Sequence, residues 1–220
     1  MKKISEIYSE YKIMPNLQEH MLRVAAVASL ICDNFNELLP KKDIITACLL
    51  HDMGNIIKFK LNYFPEFNKP EGIEYWQNVQ NEYIKKYGND EHHVAKEIAS
   101  EIGVSERVLE LINAISFLGA SHNVLSEDFG KKVVDYCDNR VSPFGVVSGE
   151  QRFMDLRKRY TNHGGDTPER QAFEKALRQI EKQIFSKCKI KPEDINDEAI
   201  APIIEELRNF VIRSSNSGSW

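Results

Sequence analysis

The sequence predicts an all-α protein, and three observations support this fold class. Apolar residues recur at intervals of three and four along most of the 220 residues, which is the period of an amphipathic helix. The strict alternation of apolar and polar residues that indicates a half-buried strand is missing. Gly88 and Gly103 follow amphipathic segments at positions where helices commonly end. We therefore expect a bundle of helices around one sizeable core.

The apolar pattern divides the chain into successive helices. The first predicted helix covers about 15–35, and the second, about 41–52, begins after Pro40 and ends near Gly54. The aromatic residues, prolines and asparagines of 58–72 predict a loop. Further helices are expected at about 74–87, 91–102, 105–118, 129–142, 149–161, 168–187 and 200–213.

No linker divides the chain, but the pattern changes after residue 145. Beyond Ser142-Pro143-Phe144-Gly145 the predicted helices become long and amphipathic, and a polar loop at 161–166 joins two of them. We expect residues 1–145 to form a helical core and residues 146–213 to form a helical extension packed on it. The polar residues 214–220 are expected to be a disordered tail.

Composition and charge argue against several classes of function. A net charge of −4 gives no strong nucleic-acid signal. No apolar run approaches the roughly 20 residues of a membrane-spanning helix, and the N-terminal residues lack the apolar stretch of a signal peptide. The four cysteines are scattered without a Cys-x-x-Cys pair, which is typical of reduced thiols. We expect a cytoplasmic protein without a membrane partner, and assembly into a homo-oligomer is left open.

Four polar side chains on apolar helix faces mark a candidate metal site. His20 and Asp138 each share a face with apolar residues, and the adjacent pair His51-Asp52 closes the buried side of the second predicted helix. A single inward histidine is more often a satisfied core residue. Buried carboxylates beside it are costly unless they are paired or bound to a cation. The combination therefore favours a metal site.

The order His, His-Asp, Asp on helical segments resembles the HD superfamily of metal-dependent phosphohydrolases. The motifs that carry the resemblance are Gln18-Glu19-His20-Met21-Leu22-Arg23-Val24, Leu49-Leu50-His51-Asp52-Met53-Gly54 and Val134-Asp135-Tyr136-Cys137-Asp138-Asn139-Arg140. The resemblance covers about 15–145 and implies an HD-domain helical bundle with additional C-terminal helices. It favours Asp138 as the last ligand, with Asp135 as the alternative.

The resemblance also implies a reaction. A divalent ion held by His20, His51, Asp52 and Asp138 would keep open positions for water and a phosphate oxygen, with manganese, iron, nickel, cobalt or magnesium as the candidate metals. Such an ion activates water for attack on the phosphoester of a small metabolite or nucleotide. The catalytic residue Asp52 would both ligate the ion and orient this water.

Five further side chains are candidates for handling the substrate. Arg23 and Arg140 lie close to predicted ligands in the sequence, and Lys58 follows the His-Asp motif, so each is a candidate for binding phosphate charge. His92 shares a helix face with alanines and is expected to point inward as a catalytic residue near the substrate phosphate. His122 is a candidate substrate-binding residue.

The number of metal ions and the exact chemistry stay open. If His92 and His122 were ligands, the site would hold two ions, and the alternative function would be that of a mixed-valent di-iron oxygenase, a chemistry found in HD proteins with additional histidines. One ion is the narrowly favoured expectation. The chain lacks the Glu-Asp that follows the His-Asp pair in alarmone hydrolases, and it lacks the Gly-Tyr-Pro segment of the cyclic-di-GMP phosphodiesterases.

Overall fold

The structure, a computed structural model, describes residues 1–116, 119–159 and 167–213. These residues form helices joined by turns and by longer connections, of which 51–72 is one, and this confirms the all-α class. In chain order the helices are α1 (Ile4–Glu10), α2 (Pro15–Asn34), α3 (Lys41–Leu50), α4 (Ile73–Tyr87), α5 (Glu91–Ile102), α6 (Glu106–Ala114), α7 (Gly119–Asn123), α8 (Phe129–Asp138), α9 (Gly149–Arg159), α10 (Pro168–Phe185) and α11 (Asp197–Leu207).

Four two-residue strands accompany the helices in the described part of the chain. They are β1 (Lys2–Lys3), β2 (Val141–Ser142), β3 (Gly145–Val146) and β4 (Val211–Ile212). The first strand pairs antiparallel with β4, and β2 pairs antiparallel with β3. Strands of two residues are too short to show an alternating pattern in the sequence, so none of them was predicted.

Two predicted helices end earlier than expected, because strand pairing takes over their last residues. The helix predicted at 129–142 stops at Asp138, and Val141–Ser142 pairs in a hairpin instead. The helix predicted at 200–213 is α11, which starts earlier and stops before β4. Helices α1 and α7 were not predicted. The loop 161–166, the tail 214–220 and the ends of two predicted helices, at 117–118 and 160–161, lie outside the described residues.

Helix α2 lies at the centre of the core. Most of its residues between Leu17 and Ile31 are buried. It packs against α3, in which every residue from Ile44 to Leu50 is buried, and against α8 and α11. Because α2, α3 and α8 contact one another, polar side chains at the same level of the bundle on these helices can lie close together.

The helices that follow residue 145 also contact this core. Helix α10 packs against α7 and α8, and α11 packs along α2. The two longest helices, α2 with 20 residues and α10 with 18, carry polar residues along their length. Among the described residues, no helix combines the length and the apolar character that crossing a bilayer requires.

Candidate metal centre

The four predicted ligands meet at one point in the bundle. His20 projects from α2, His51 and Asp52 directly follow α3, and Asp138 is the last residue of α8. One ligand atom from each residue lies within 4.8 Å of every other. Residues that are far apart in the sequence therefore lie close together because α2, α3 and α8 pack against one another.

The short distances in this cluster run between imidazole nitrogens and carboxylate oxygens. His20 Nε2 lies 3.0 Å from Asp138 Oδ1 and 3.4 Å from Asp52 Oδ2. His51 Nε2 lies 3.3 Å from the same Asp138 oxygen and 3.5 Å from Asp52 Oδ1. Each imidazole therefore faces both carboxylates, an arrangement in which one ion can contact all four groups.

The backbone fixes the orientation of His51. Its Nδ1 donates a hydrogen bond to the Cys48 carbonyl oxygen at 2.8 Å. A carbonyl can only accept, so the proton lies on Nδ1 and, in the neutral ring, Nε2 carries the lone pair. An imidazole held in this way by its other nitrogen is the usual arrangement of a metal ligand. The His51 side chain is 2% exposed, so the ring has little freedom to turn away.

The electrostatics of the cluster favour a positive charge where the ligand atoms meet. Burial alone would lower the pKa of His51, but Asp52 and Asp138 outweigh burial and raise this pKa to about 9. Burial would raise the pKa of Asp138, yet hydrogen bonds from His20 and His51 hold it well below its ordinary value. A divalent cation supplies the same positive charge, so the residues present fit a metal ion.

Gly54 allows the turn after the His-Asp pair to approach helix α5. A Cβ atom built on Gly54 would overlap the Glu91 carbonyl oxygen and would lie 2.9 Å from the Val94 Cβ atom. Since the φ angle of Gly54 is ordinary at −90°, the requirement is for space and not for backbone freedom. The glycine therefore lets His51 and Asp52 sit close to the start of α5.

We expect Gly54→Ala to destabilise the protein by about 1–3 kcal/mol, the usual cost of overpacking, and to weaken metal binding. Denaturant unfolding and a metal titration measure the two effects. Gly149→Ala is the matched control, because a Cβ there meets only Glu181 Oε2 at 4.0 Å. Equal losses in the two variants would show that the close approach at Gly54 does not matter.

The cluster lines a cavity of ≈ 810 Å³. Two parts of the chain supply most of the apolar side chains around it. The segment between α3 and α4 contributes Phe59, Leu61, Tyr63, Phe64 and Phe67, and the helices α9 and α10 contribute Phe153, Leu156 and Phe173. The cavity is large enough for a metabolite of the size that ligand pockets commonly hold.

Of the other candidate residues, some line this cavity and others do not. Lys58 and His92 both line it, and Lys58 Nζ lies 3.2 Å from Glu91 Oε1. His92 does not point into the core as predicted: its side chain is 55% exposed, and the buried face of α5 begins at Val94. In the part of the chain that the structure describes, neither Arg23 nor His122 lines the cavity.

Arg140 has a different environment from the one predicted. Its side chain donates hydrogen bonds to the carbonyl oxygens of Val147 at 2.6 Å, Pro192 at 3.1 Å and Ile195 at 3.2 Å, and to the Tyr136 hydroxyl. The residue is buried, and the cavity lining within the described ranges does not include it. The guanidinium is therefore engaged in holding the C-terminal segment. Arg140 has a structural role, and its prediction as a substrate-binding residue was wrong.

Asp135 lies beside the cluster but is not part of it. Its carboxylate oxygens accept hydrogen bonds from Asn123 at 2.8 Å and from Asn139 at 3.4 Å. Burial raises the pKa of Asp135 to about 8 against the opposing Asn123 bond, and the nearby charge of Asp138 adds to the increase. Near pH 7 the group is therefore mostly neutral, which does not suit a metal ligand.

The cavity wall also contains polar residues that the sequence did not predict. Three buried polar atoms of lining residues have no hydrogen-bond partner within the described structure: Asn16 Oδ1, Asn68 Oδ1 and Arg152 Nε. Asn16 lies four residues before His20, a spacing that puts both on one helix face, so this residue could have been found. Nothing in the sequence marks Arg152, which lies outside the motifs.

A helical bundle that gathers two histidines and two aspartates from two helices and the turn after a third defines a metal-binding class of all-α domain. The HD domain family matches residues 17–140, which is more than half of the chain, and the protein belongs to this family. HD domains are typically metal-dependent hydrolases. No curated protein and no solved structure matches the chain.

Proposed function

We propose that the protein is a metal-dependent phosphohydrolase that cleaves a phosphoester of a small metabolite or nucleotide. The observation that carries this proposal is the placement of the four-ligand cluster in the wall of a cavity of metabolite size. An ion in that position would be accessible to a bound substrate on one side. On the other side it would be held by the buried His51.

The four ligands differ in exposure, and this difference suggests separate tasks. The side chains of Asp52 and Asp138 are 18% and 23% exposed, whereas that of His51 is 2% exposed. His51 therefore anchors the site, and the carboxylates border the space where water and substrate enter. A divalent ion held there would activate a bound water and neutralise phosphate charge. Asp52, placed between both imidazoles and the cavity, is suited to accept a hydrogen bond from that water.

Two side chains near the cluster are suited to bind the substrate phosphate and to exchange a proton with the leaving group. Lys58, at the cavity wall, carries a positive charge that suits phosphate binding. Part of this charge is neutralised by Glu91, which forms an ion pair with Lys58. His92 follows Glu91 at the start of α5 and lines the same cavity with an exposed side chain. A histidine in this position is suited to exchange protons with the leaving group.

The oxygenase alternative needs two metal ions and therefore ligands beyond the four. Among the described residues, the cluster that could hold a metal contains neither His92 nor His122. His122 lies on α7 with an exposed side chain. The geometry gives no specific support to a di-iron centre, and the single-ion hydrolase remains the proposal.

The test is a substrate panel run on metal-free protein that has been reloaded separately with manganese, iron, nickel, cobalt or magnesium. Phosphomonoesters, phosphodiesters and nucleotides are offered, and released phosphate or nucleoside is measured. We expect hydrolysis of at least one class, lost on chelation and restored by the same metal. Absence of hydrolysis with every metal, or hydrolysis that persists in metal-free protein, would refute the proposal.

A further inference from the structure

Arg152 has a buried guanidinium in the wall of the cavity that contains the metal cluster. The residue lies in the first turns of α9, and its side chain is 12% exposed. Helix α9 packs against β2, the strand that begins three residues after Asp138. The same cavity is lined by Arg152, Asp52 and Asp138, so the cluster and this arginine border one space for a ligand.

The hydrogen-bonding capacity of Arg152 is not satisfied by the described part of the protein. Its Nη1 donates to Asp155 Oδ2 at 3.3 Å, one turn further along α9. Its Nε is buried and has no partner in the described structure. A buried donor of a charged group without a partner is destabilising, and an acceptor on a ligand would relieve this cost.

The carboxylates that line the cavity near α9 and α5 are already paired. Glu174 on α10 accepts from Arg157 at 2.7 Å and lies 3.4 Å from Arg178. Glu91 lies 3.2 Å from Lys58. With these carboxylates paired, and with Asp155 sharing the charge of Arg152, the second lining arginine, Arg170, leaves this wall with an excess of positive charge.

Apolar side chains of α9 and α10 line the same cavity as Arg152. They are Phe153 and Leu156 from the helix of Arg152 and Phe173 from α10, and Phe153 is 4% exposed. The ring centroids of Phe153 and Phe173 are 6.4 Å apart. A ligand that reaches from the metal cluster to Arg152 therefore needs an apolar body between two polar ends.

The geometry points to Arg152 as the binding site for a second anionic group of the substrate. The substrate class is then a phosphate ester whose leaving group carries, beyond an apolar segment, a carboxylate or a second phosphate. This inference rests on the proposed function, because the first phosphate is placed at the metal cluster. It makes the C-terminal helices, which lie outside the region that matches the HD domain family, the source of substrate specificity.

The test measures binding and does not depend on turnover. Alkylphosphonates of increasing chain length are titrated calorimetrically into manganese-loaded protein, beside ω-carboxyalkylphosphonates and α,ω-bisphosphonates of the same lengths. At one length a second anionic end should tighten binding by about 10- to 100-fold, the effect of one charge-assisted hydrogen bond. The carboxylate and phosphonate arms show which anion is preferred.

Variants assign this preference to the arginine. Arg152→Gln should abolish the gain from the second anion and leave the affinity for simple alkylphosphonates within about threefold of wild type. Arg152→Lys, which keeps the charge but not the guanidinium fork, should retain part of the gain and guards against a folding defect in the glutamine variant. Lys175→Gln removes an exposed charge from α10 and should change neither affinity.

Two results would overturn the inference. One is equal binding of mono- and dianionic ligands by wild-type protein at every length. The other is a preference that survives in Arg152→Gln, which would move the anion to another cation such as Arg170. Failure of the proposed function would look different: the corresponding phosphate esters would release no phosphate, while the dianion preference and its loss in Arg152→Gln would persist.

Discussion

An Asp52→Asn variant is expected to lose turnover almost completely while keeping the wild-type fold. Asparagine preserves the shape of the side chain but removes the negative charge that faces His20 and His51 at 3.4 and 3.5 Å. Metal affinity should fall, and the activated water should be lost with the ion. Several kcal/mol of transition-state stabilisation are then missing, which corresponds to a decrease in kcat/KM of about three orders of magnitude or more.

Activity on the best substrate, metal content and the thermal unfolding curve are measured on the same preparation. Glu97→Gln is a suitable control, because it removes an exposed carboxylate from the neighbouring helix α5. It should leave all three measurements unchanged. A variant at position 52 that binds metal normally and turns over at the wild-type rate would exclude Asp52 from the mechanism.

The second large effect is expected at Asp138 and not at its neighbour Asp135. Asp138 Oδ1 lies within 3.3 Å of both imidazoles, and Asp138→Asn should lose the metal and reduce activity as severely as the change at Asp52. Asp135 has a pKa of about 8, so Asp135→Asn replaces a carboxyl group that is mostly neutral at pH 7 with a neutral amide of the same shape. Metal content and activity should stay close to wild type.

The comparison is made at pH 7 with both variants loaded in parallel with the same metal. The two aspartates lie three residues apart on α8. A substitution that merely disturbed this helix would therefore affect both variants alike. The reverse ranking, with metal lost in Asp135→Asn and retained in Asp138→Asn, would show that the ligand had been assigned to the wrong residue.

Helical periodicity indicated the direction of His20 and Asp138, because apolar residues share a helix face with each of them. His20 lies between the buried residues Leu17 and Val24 of α2, and Asp138 lies one turn after the buried Val134 of α8. At such positions the phase of the helix decides the direction of the side chain. The resemblance to the HD superfamily then connected residues that periodicity alone could not place at one point in space.

The same reasoning failed for His92, and the cause is position along the helix. His92 does share its face with Ala95 and Ala99, which are buried. However, it lies in the first turn of α5, where the side chain meets the cavity and solvent before the helix reaches its packing partners. Periodicity gives the direction of a side chain but not whether another element covers it.

Arg140 and Arg152 lay beyond prediction for a different reason. The partners of Arg140 include carbonyl groups more than 50 positions further along the chain, and backbone acceptors carry no signature in the side-chain pattern. Arg152 looked like an ordinary cation on an amphipathic helix. Only the packing of α9 beside the cavity makes its guanidinium buried and incompletely bonded. Long-range packing decides both cases.

The hydrogen bonds of Arg140 have a consequence for how the protein is made. Arg140 ends the family-matched region, two residues after Asp138, yet it is held by carbonyl groups of Pro192 and Ile195 that are synthesised 52 and 55 residues later. A nascent chain that has emerged only to the end of that region lacks these acceptors. We therefore expect the ligand set to mature late in translation, after the C-terminal helices have left the ribosome, and a fragment cut at the family boundary to be a poor substitute for the whole chain.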